Sequence, residues 1–380
     1  MIIFISIVLI VHLSVNFFIY KHSKALFDIS GWSGTVLKAI FIFMVFSYPL
    51  GRILEQLYPS GIAEVIAKIG SFWLGAMLYL FILFLLFDLA KLLYMWTGFP
   101  ALLSAKNSPL FLRKIAVITY TLSAIIIISG YFNALYPKVN KVSIKTNKVI
   151  NGNRLLRIGA ASDIHLGSII TNGRLERFVT MMNSQNPDII LLAGDIFDED
   201  LGPVIKNDMG RLLSKLNAPL GVYAVTGNHE YIGGVEAAVK YLEDHGVSVI
   251  RDSTIVVNSA INIVGREDRQ LKMMGNLERK HLDSLTASIN KELFTILLDH
   301  QPYSLNEAVQ NDVDLQISGH THHGQMFPLN LITRAMFEVS RGYKQIENTH
   351  VFVSTGFGTW GPPIRVGNRP EIVVFEVEGI

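Results

Sequence analysis

The order of apolar and polar positions divides the chain into two halves suited to different solvents. Residues 1–20, 69–87 and 115–137 contain no Asp, Glu, Lys or Arg. Each is near the roughly 20 apolar residues that a helix needs to cross a bilayer, where no water is available for open backbone groups. Residues 39–51 form a shorter apolar run holding Pro49, so a fourth span there must extend past Arg52 and Glu55 towards Tyr58. Residues 92–105 are also apolar, but Gly98 and Pro100 interrupt them, which predicts an interfacial or re-entrant segment and not a fifth span. No Lys or Arg precedes the first apolar run and no small-residue cleavage site follows it, which favours an uncleaved anchor over a signal peptide.

From Lys138 onward the pattern is that of a water-soluble α/β chain. Short apolar runs predict strands at 155–161, 188–193, 221–225, 294–298, 315–318, 351–354 and 372–377. Between them, residues 173–184 predict a helix with Leu175, Phe178, Val179 and Met182 on one face, and residues 234–245 predict another. Strand–helix alternation implies right-handed crossovers and a largely parallel sheet. Residues 189–193 are apolar on both faces, as expected of a strand covered on each side. The expected organisation is a helical membrane domain over 1–137, a linker over 138–154 and an α/β domain over 155–380.

Composition agrees with this division. Hydrophobic residues make up 50% of the chain and charged ones 17%, and the apolar excess lies before about residue 137. A net charge of +2 gives no argument for a nucleic-acid partner. The chain has no cysteine, which excludes disulfides, thiolate nucleophiles and cysteine-based metal sites. Any metal is left to His, Asp, Glu and Asn. Lys21, Lys24 and Lys38 follow the first span, and Lys91, Lys106, Arg113 and Lys114 separate the third from the fourth. Positive connections tend to stay cytoplasmic, which puts the α/β half outside; Lys138, Lys141, Lys145 and Lys148 pull the other way. The spans carry no charged pair of the kind that marks a transport path.

The α/β half places potential metal ligands after nearly every strand. Ser162-Asp163-Ile164-His165 follows the first, Gly194-Asp195-Ile196-Phe197-Asp198 the second, and Gly227-Asn228-His229-Glu230 the third. Asp299-His300 and Gly319-His320-Thr321-His322-His323 follow two later ones. Singly these are ordinary turns and helix caps. Brought to one sheet edge they would crowd carboxylates and imidazoles together, at a cost of several kcal/mol in repulsion and desolvation unless cations intervene. Ligands at the carboxyl ends of strands are also where open α/β sheets bind.

The ordered series resembles the calcineurin-like metallophosphoesterase superfamily. That family's pattern is Asp-x-His, Gly-Asp-x-x-Asp, Gly-Asn-His-Glu/Asp, a lone His and Gly-His-x-His, and each block occurs in order from Asp163 to His322. The stretch from Gly356 to Arg365, with its Gly-x-Gly and Pro-Ile-Arg, is similar to bacterial membrane-associated members that have several N-terminal spans. The resemblance implies a four-layer αββα sandwich preceded by a transmembrane bundle. It implies that Asp163, His165 and His322 hold one divalent ion, that Asn228, His300 and His320 hold a second, and that Asp195 bridges both. Manganese is the first choice, with Zn, Fe, Co or Mg as alternatives. His323 departs from the pattern, which usually has Gly there; it is expected to point to solvent, with pocket narrowing or substrate contact as the alternatives.

Such a metal pair clamps a phosphate and activates a water without a protein nucleophile. His229, beside a ligand, is the candidate general acid, with an orienting role as the alternative; the resemblance implies that Asp198 orients His229 or the metal shell, and Glu230 and Asp299 are expected as structural partners. Met326 and Trp360 are candidates for lining the pocket, with core packing as the commoner role of such residues. The expected activity is hydrolysis of a phosphate ester, a phosphodiester first, at the membrane surface on a lipid-linked or head-group phosphate. A pyrophosphate hydrolase acting on a UDP-2,3-diacylglucosamine-like substrate is the specific alternative. A membrane-coupled metal-dependent sensor is the alternative of another class, and the presence of both Asp195 and His229 weighs against it.

Overall fold

The computed structural model describes residues 2–29, 31–58, 60–98, 108–148, 150, 155–274 and 277–379. The chain separates into two compact units, residues 1–132 with 361–364, and residues 133–360 with 365–380.

Among the described residues, the first unit holds four helices long and apolar enough to cross a membrane: α1 (Ile2–Phe27), α2 (Trp32–Leu57), α3 (Gly61–Thr97) and α4 (Pro109–Leu135). Ser60 caps α3 by accepting the Ala63 N–H, and Gly98 closes it with φ 69°. Residues 92–97, expected as the start of a separate interfacial segment, continue α3 to Thr97. The rest of that expected segment, 99–105, lies outside the described residues. Close packing of α2 on α3 depends on small residues, because a Cβ at Gly51 would meet the Ala67 backbone and one at Gly70 the Tyr48 backbone. Trp73 Nε1 donates to Asn16 Oδ1 at 3.1 Å, and Ser23 and Tyr120 share a hydrogen bond of 2.9 Å. Charged side chains pair just beyond the charge-free runs: in α2, Arg52 Nη1 lies 3.2 Å from Glu55 Oε2. Asp88 of α3 lies 2.9 Å from His22 Nε2 and 2.5 Å from Lys91 Nζ.

The second unit is a pair of six-stranded mixed sheets between helical layers. The first sheet runs in the order β1 (Lys138–Thr146), β12 (Glu371–Gly379), β2 (Leu155–Ala161), β3 (Ile189–Ala193), β4 (Val222–Val225) and β5 (Ser248–Val249). The second runs β10 (Gly342–Ile346), β11 (Thr349–Val353), β9 (Leu315–Ser318), β8 (Phe294–Leu298), β7 (Ile261–Gly265) and β6 (Ser253–Val257). Central neighbours are parallel, with Ile158 opposite Ile189, Leu192 opposite Ala224 and Ile296 opposite Leu315. β12 is antiparallel to β2, β6 to β7 and β10 to β11, so the sheets are less uniformly parallel than alternation alone implies. Lys138–Thr146, expected as linker, forms β1 alongside β12; residues 151–154 of that linker lie outside the described residues.

Ile158, Leu191, Ile263, Ile296, Phe352 and Phe375 from both sheets share one buried core, the contact of the two central layers. A second core covers the outer face of the first sheet, where α5 (Asn172–Asn183), α6 (Gly202–Lys206), α7 (Gly210–Leu213) and α9 (Val235–Asp244) lie. Leu175, Phe178, Val179 and Met182 form the buried face of α5, as its 3.6-residue spacing predicts. A third cluster packs α10 (Leu282–Thr286) and α11 (Asn306–Gln310) against Val264 and Leu297 of the second sheet. The result is the expected αββα sandwich. Two further helices flank the site: α8 (Asn228–Gly233) follows β4 almost directly, and α12 (Leu329–Met336) follows the His320–His322 turn.

Candidate metal centre

Both sheets contribute ligand candidates from their carboxyl ends. β2, β3 and β4 lead to Asp163 and His165, Asp195, and Asn228; β8 and β9 lead to His300, and to His320 and His322. The expectation of one sheet edge becomes two facing edges, which is why loops far apart in sequence meet.

Asp163 Oδ1 lies 3.4 Å from His322 Nε2, and His165 Nε2 lies 3.0 Å from the same atom. On the other side, His300 Nε2 is 3.1 Å from Asp195 Oδ2, and His320 Nδ1 bonds Asn228 Oδ1 at 2.8 Å. Asp195 Oδ2 is also 3.9 Å from His165 Nε2. Among the described residues, Asp163, His165 and His322 thus form one group able to hold a cation, and Asp195, His300 and His320 another, while His165, Asp195 and His229 form an overlapping third. The structure brings together all seven residues singled out from the sequence.

The backbone is unusual here. Asp163, His165, Asp195, His320 and His322 all have φ between 43° and 69°. Non-glycine residues in this left-handed region cost about 1 kcal/mol or more each and collect where function requires a particular side-chain direction. Gly194, with φ 82°, has room for no side chain, since a Cβ would meet the His300 ring.

Buried charge sets the electrostatics. Burial alone would lower the His300 imidazole, but Asp195, Asp163 and Asp268 hold it well above its ordinary value. Burial would raise the Asp195 carboxyl, but His300, His229 and His165 keep it well below the usual range. Burial, then the His165 and Arg365 cations, hold His322 well below its ordinary value, while burial and His300 push His320 down to about 4. The buried carboxylates thus favour positive charge at the centre of the site. His165 Nδ1 and His300 Nε2 are buried with no well-formed hydrogen bond, each facing a carboxylate, Asp198 at 3.5 Å and Asp195 at 3.1 Å. His300 Nδ1 meets the Ala193 carbonyl at 2.7 Å, which fixes the ring and turns Nε2 towards Asp195. Ring nitrogens beside oxygen donors fit divalent cations of intermediate hardness.

The comparisons with known proteins point to one family. The sequence pattern of the calcineurin-like phosphoesterases matches residues 156–324, from the strand before Asp163 to just past His322. An uncharacterized metallophosphoesterase of Aquifex aeolicus is 33% identical over 254 residues, 66% of this chain and 95% of its own length. The chain belongs to the calcineurin-like phosphoesterase family. It is a metal-dependent phosphoesterase. An uncharacterized metallophosphoesterase of Campylobacter jejuni is 28% identical over 387 residues, covering 99% of this chain and 98% of its own. A Danio rerio protein named as a transmembrane protein with metallophosphoesterase domain is 33% identical over 272 residues, 67% of this chain and 61% of its own. With its four long apolar helices, this phosphoesterase is membrane-associated.

Around the phosphoesterase ligands sit supporting residues of two kinds. Some were expected. Glu230 accepts the N–H groups of Asp195, Phe197 and Gly227, tying two ligand loops together. Asp299 pairs with Arg266 at 3.3 Å and Arg279 at 2.9 Å. Asp198 lies between His165 Nδ1, at 3.5 Å, and His229 Nδ1, at 3.7 Å. Met326 is buried, whereas Trp360 is exposed with its ring 6.2 Å from that of His229.

Others escaped the sequence reading. Glu199 brings a second carboxylate to 3.7 Å from His229 Nδ1. Arg365, fully buried, donates to the carbonyls of Thr355, Gly356 and Gly358 and faces His322 Nδ1 at 3.2 Å. Its place in the Pro-Ile-Arg stretch was the available signal. His323, expected to face solvent, is 1% exposed, with Nδ1 3.0 Å from Ser340 Oγ and its carbonyl accepting from Asn368.

Proposed function

We propose that this phosphoesterase hydrolyses a phosphodiester at the outer face of a membrane that its four helices cross. Asp163, His165 and His322 take one manganese ion, Asn228, His300 and His320 a second, and Asp195 is shared. The observation carrying this reading is the position of Asp195 Oδ2, within 3.9 Å of His165 Nε2 and 3.1 Å of His300 Nε2. Bound there, a divalent pair neutralises phosphate charge and lowers the pKa of an attacking water towards neutrality.

The remaining work falls to the protein. His229 donates its proton to the leaving oxygen, and Asp198 and Glu199 fix its ring through Nδ1, each from 3.7 Å. The Asp195 carboxylate also accepts the backbone N–H of His229 at 2.9 Å, which ties the backbone that carries the acid to the shared ligand. A diester fits better than a monoester because it carries less charge to compensate. Arg365, the guanidinium facing His322, is already engaged by three backbone carbonyls and by Asn368. Four membrane helices keep the domain near lipid, which favours a lipid-linked or head-group substrate; the excess of Lys and Arg in the first and third connections favours an external site.

The test is turnover by the full chain in detergent with manganese, using bis-p-nitrophenyl phosphate and p-nitrophenyl phosphate. Diester cleavage should dominate, and Asp195→Asn should abolish it and lower bound metal. Preferred cleavage of the monoester would overturn the diester assignment, and full activity in Asp195→Asn would overturn the site.

A further inference from the structure

α12 begins a few residues beyond His322, and none of its residues is buried. Leu331, Ile332 and Met336 are 55%, 58% and 60% exposed, and Phe327 just before the helix and Trp360 beside it are also exposed. Gln325 binds the Trp360 backbone in both directions, at 2.9 and 3.0 Å, joining these two segments at the mouth of the site. Ile232, on the helix that carries His229, adds another exposed apolar side chain. A monomer in water rarely leaves such side chains together, and a contiguous patch of this kind marks a surface meant to be covered.

What covers it is indicated by the charges beside it. A cavity of about 340 Å³ next to α12 is lined by Arg334, Arg341, Lys344, Tyr343, Ser340 and His323, with Glu338 as its carboxylate. Lys344 pairs with Glu338 at 2.9 Å, while Arg334 and Arg341 have no carboxylate within ion-pair distance among the described residues. A short helix with an apolar face and flanking arginines is the pattern of an interfacial helix on an anionic bilayer. A second copy of the chain is a poorer occupant, because a twofold contact would bring the same cations together.

We propose that α12, Phe327 and Trp360 lie in the head-group region of a bilayer, with the Arg334–Arg341 cavity taking an anionic lipid head group, so that the metal centre opens at the lipid surface. This deepens the reading of a membrane-surface substrate and rests on the chain being membrane-anchored.

The absence of cysteine makes Ile332→Cys a single labelling site in the full chain. It would carry an environment-sensitive fluorophore, with the protein reconstituted in phosphatidylcholine vesicles containing phosphatidylglycerol. Leu331→Cys provides a second position, and Val256→Cys, exposed on β6, the comparison. The labels at 331 and 332 should emit further to the blue than the one at 256. Spin labels on lipid acyl chains should quench them several-fold more. The combined Arg334→Glu and Arg341→Glu change should weaken both effects. Equal quenching at 332 and 256 would overturn the proposal, as would a blue shift that disappears when the protein is diluted in lipid. The fluorophore reports contact and not turnover, so failure here leaves the hydrolytic reading to its own test.

Discussion

His165 and His322 turn their Nε2 atoms to within 3.0 Å of each other, although they lie in loops from different sheets. Two buried imidazoles cannot both be cations at that distance. Asp198 stands behind the first at 3.5 Å and Arg365 faces the second at 3.2 Å. Burial opposes a charge on either ring, yet the carboxylates of Asp198, Asp195 and Asp163 hold His165 above its ordinary value while His322 is held well below its own. The two rings thus sit in opposite fields, and a cation between them would satisfy both Nε2 atoms.

Stripping divalent ions from the full chain with a chelator should then abolish hydrolysis and lower the melting temperature. Manganese should restore both. Occupancy at 100 times the dissociation constant contributes about 2.7 kcal/mol per site to folding, enough to be read in a thermal scan. A melting temperature indifferent to chelation would mean that the cluster is satisfied by protons alone.

The acid assigned to His229 predicts a dependence on the leaving group. His229→Ala should retain bound metal, since the ring lies outside the two proposed ligand sets. Turnover of an alkyl phosphodiester should fall by about 10²–10⁴-fold. A p-nitrophenyl diester, whose leaving group needs no proton, should lose far less. Equal losses on both substrates would remove the acid role and leave His229 as a positioning residue.

Glu230 predicts a stability effect without a direct role in chemistry. Its carboxylate accepts N–H groups at 3.0, 2.9 and 2.7 Å from Asp195, Phe197 and Gly227. In Glu230→Gln one oxygen becomes an NH₂ that cannot accept, so at least one buried donor is stranded. That costs about 1–3 kcal/mol. The melting temperature of chelated protein should drop, which separates the effect from any loss of metal.

Much of this arrangement was legible because the central strands are apolar on both faces and stop at polar ligands. The runs 155–161, 294–298 and 315–318 coincide with β2, β8 and β9 to the residue. β1 was not legible for a physical reason. It has a single fully buried residue, Ile144, and its partner β12 is more than two hundred residues away, so its lysine-rich sequence looks like a linker. β5 has only two residues and β10 has none buried, whereas β6 (Ser253–Val257) and the fully buried β7 (Ile261–Gly265) carry short apolar runs that the strand expectations passed over. The same distinction holds at the site. Ligands announce themselves by spacing, whereas the burial of His323 depends on Ser340 and Asn368, 17 and 45 residues further on.

Arg365 carries the last prediction, because it acts on a ligand without being one. Its guanidinium spans Thr355, Gly356 and Gly358 and reaches Asn368, which in turn donates to the His322 carbonyl at 3.0 Å. One planar fork therefore holds both the glycine-rich loop and the backbone of His322. A lysine keeps the charge but cannot serve those acceptors together. Arg365→Lys should weaken manganese binding by about 10–100-fold, the usual cost of losing support behind a ligand. With saturating manganese, kcat on the aryl diester should return close to that of the unaltered chain, since no reacting atom has been removed. A kcat that stays low at full metal occupancy would instead place Arg365 against the substrate phosphate, and its burial behind His322 argues against that outcome.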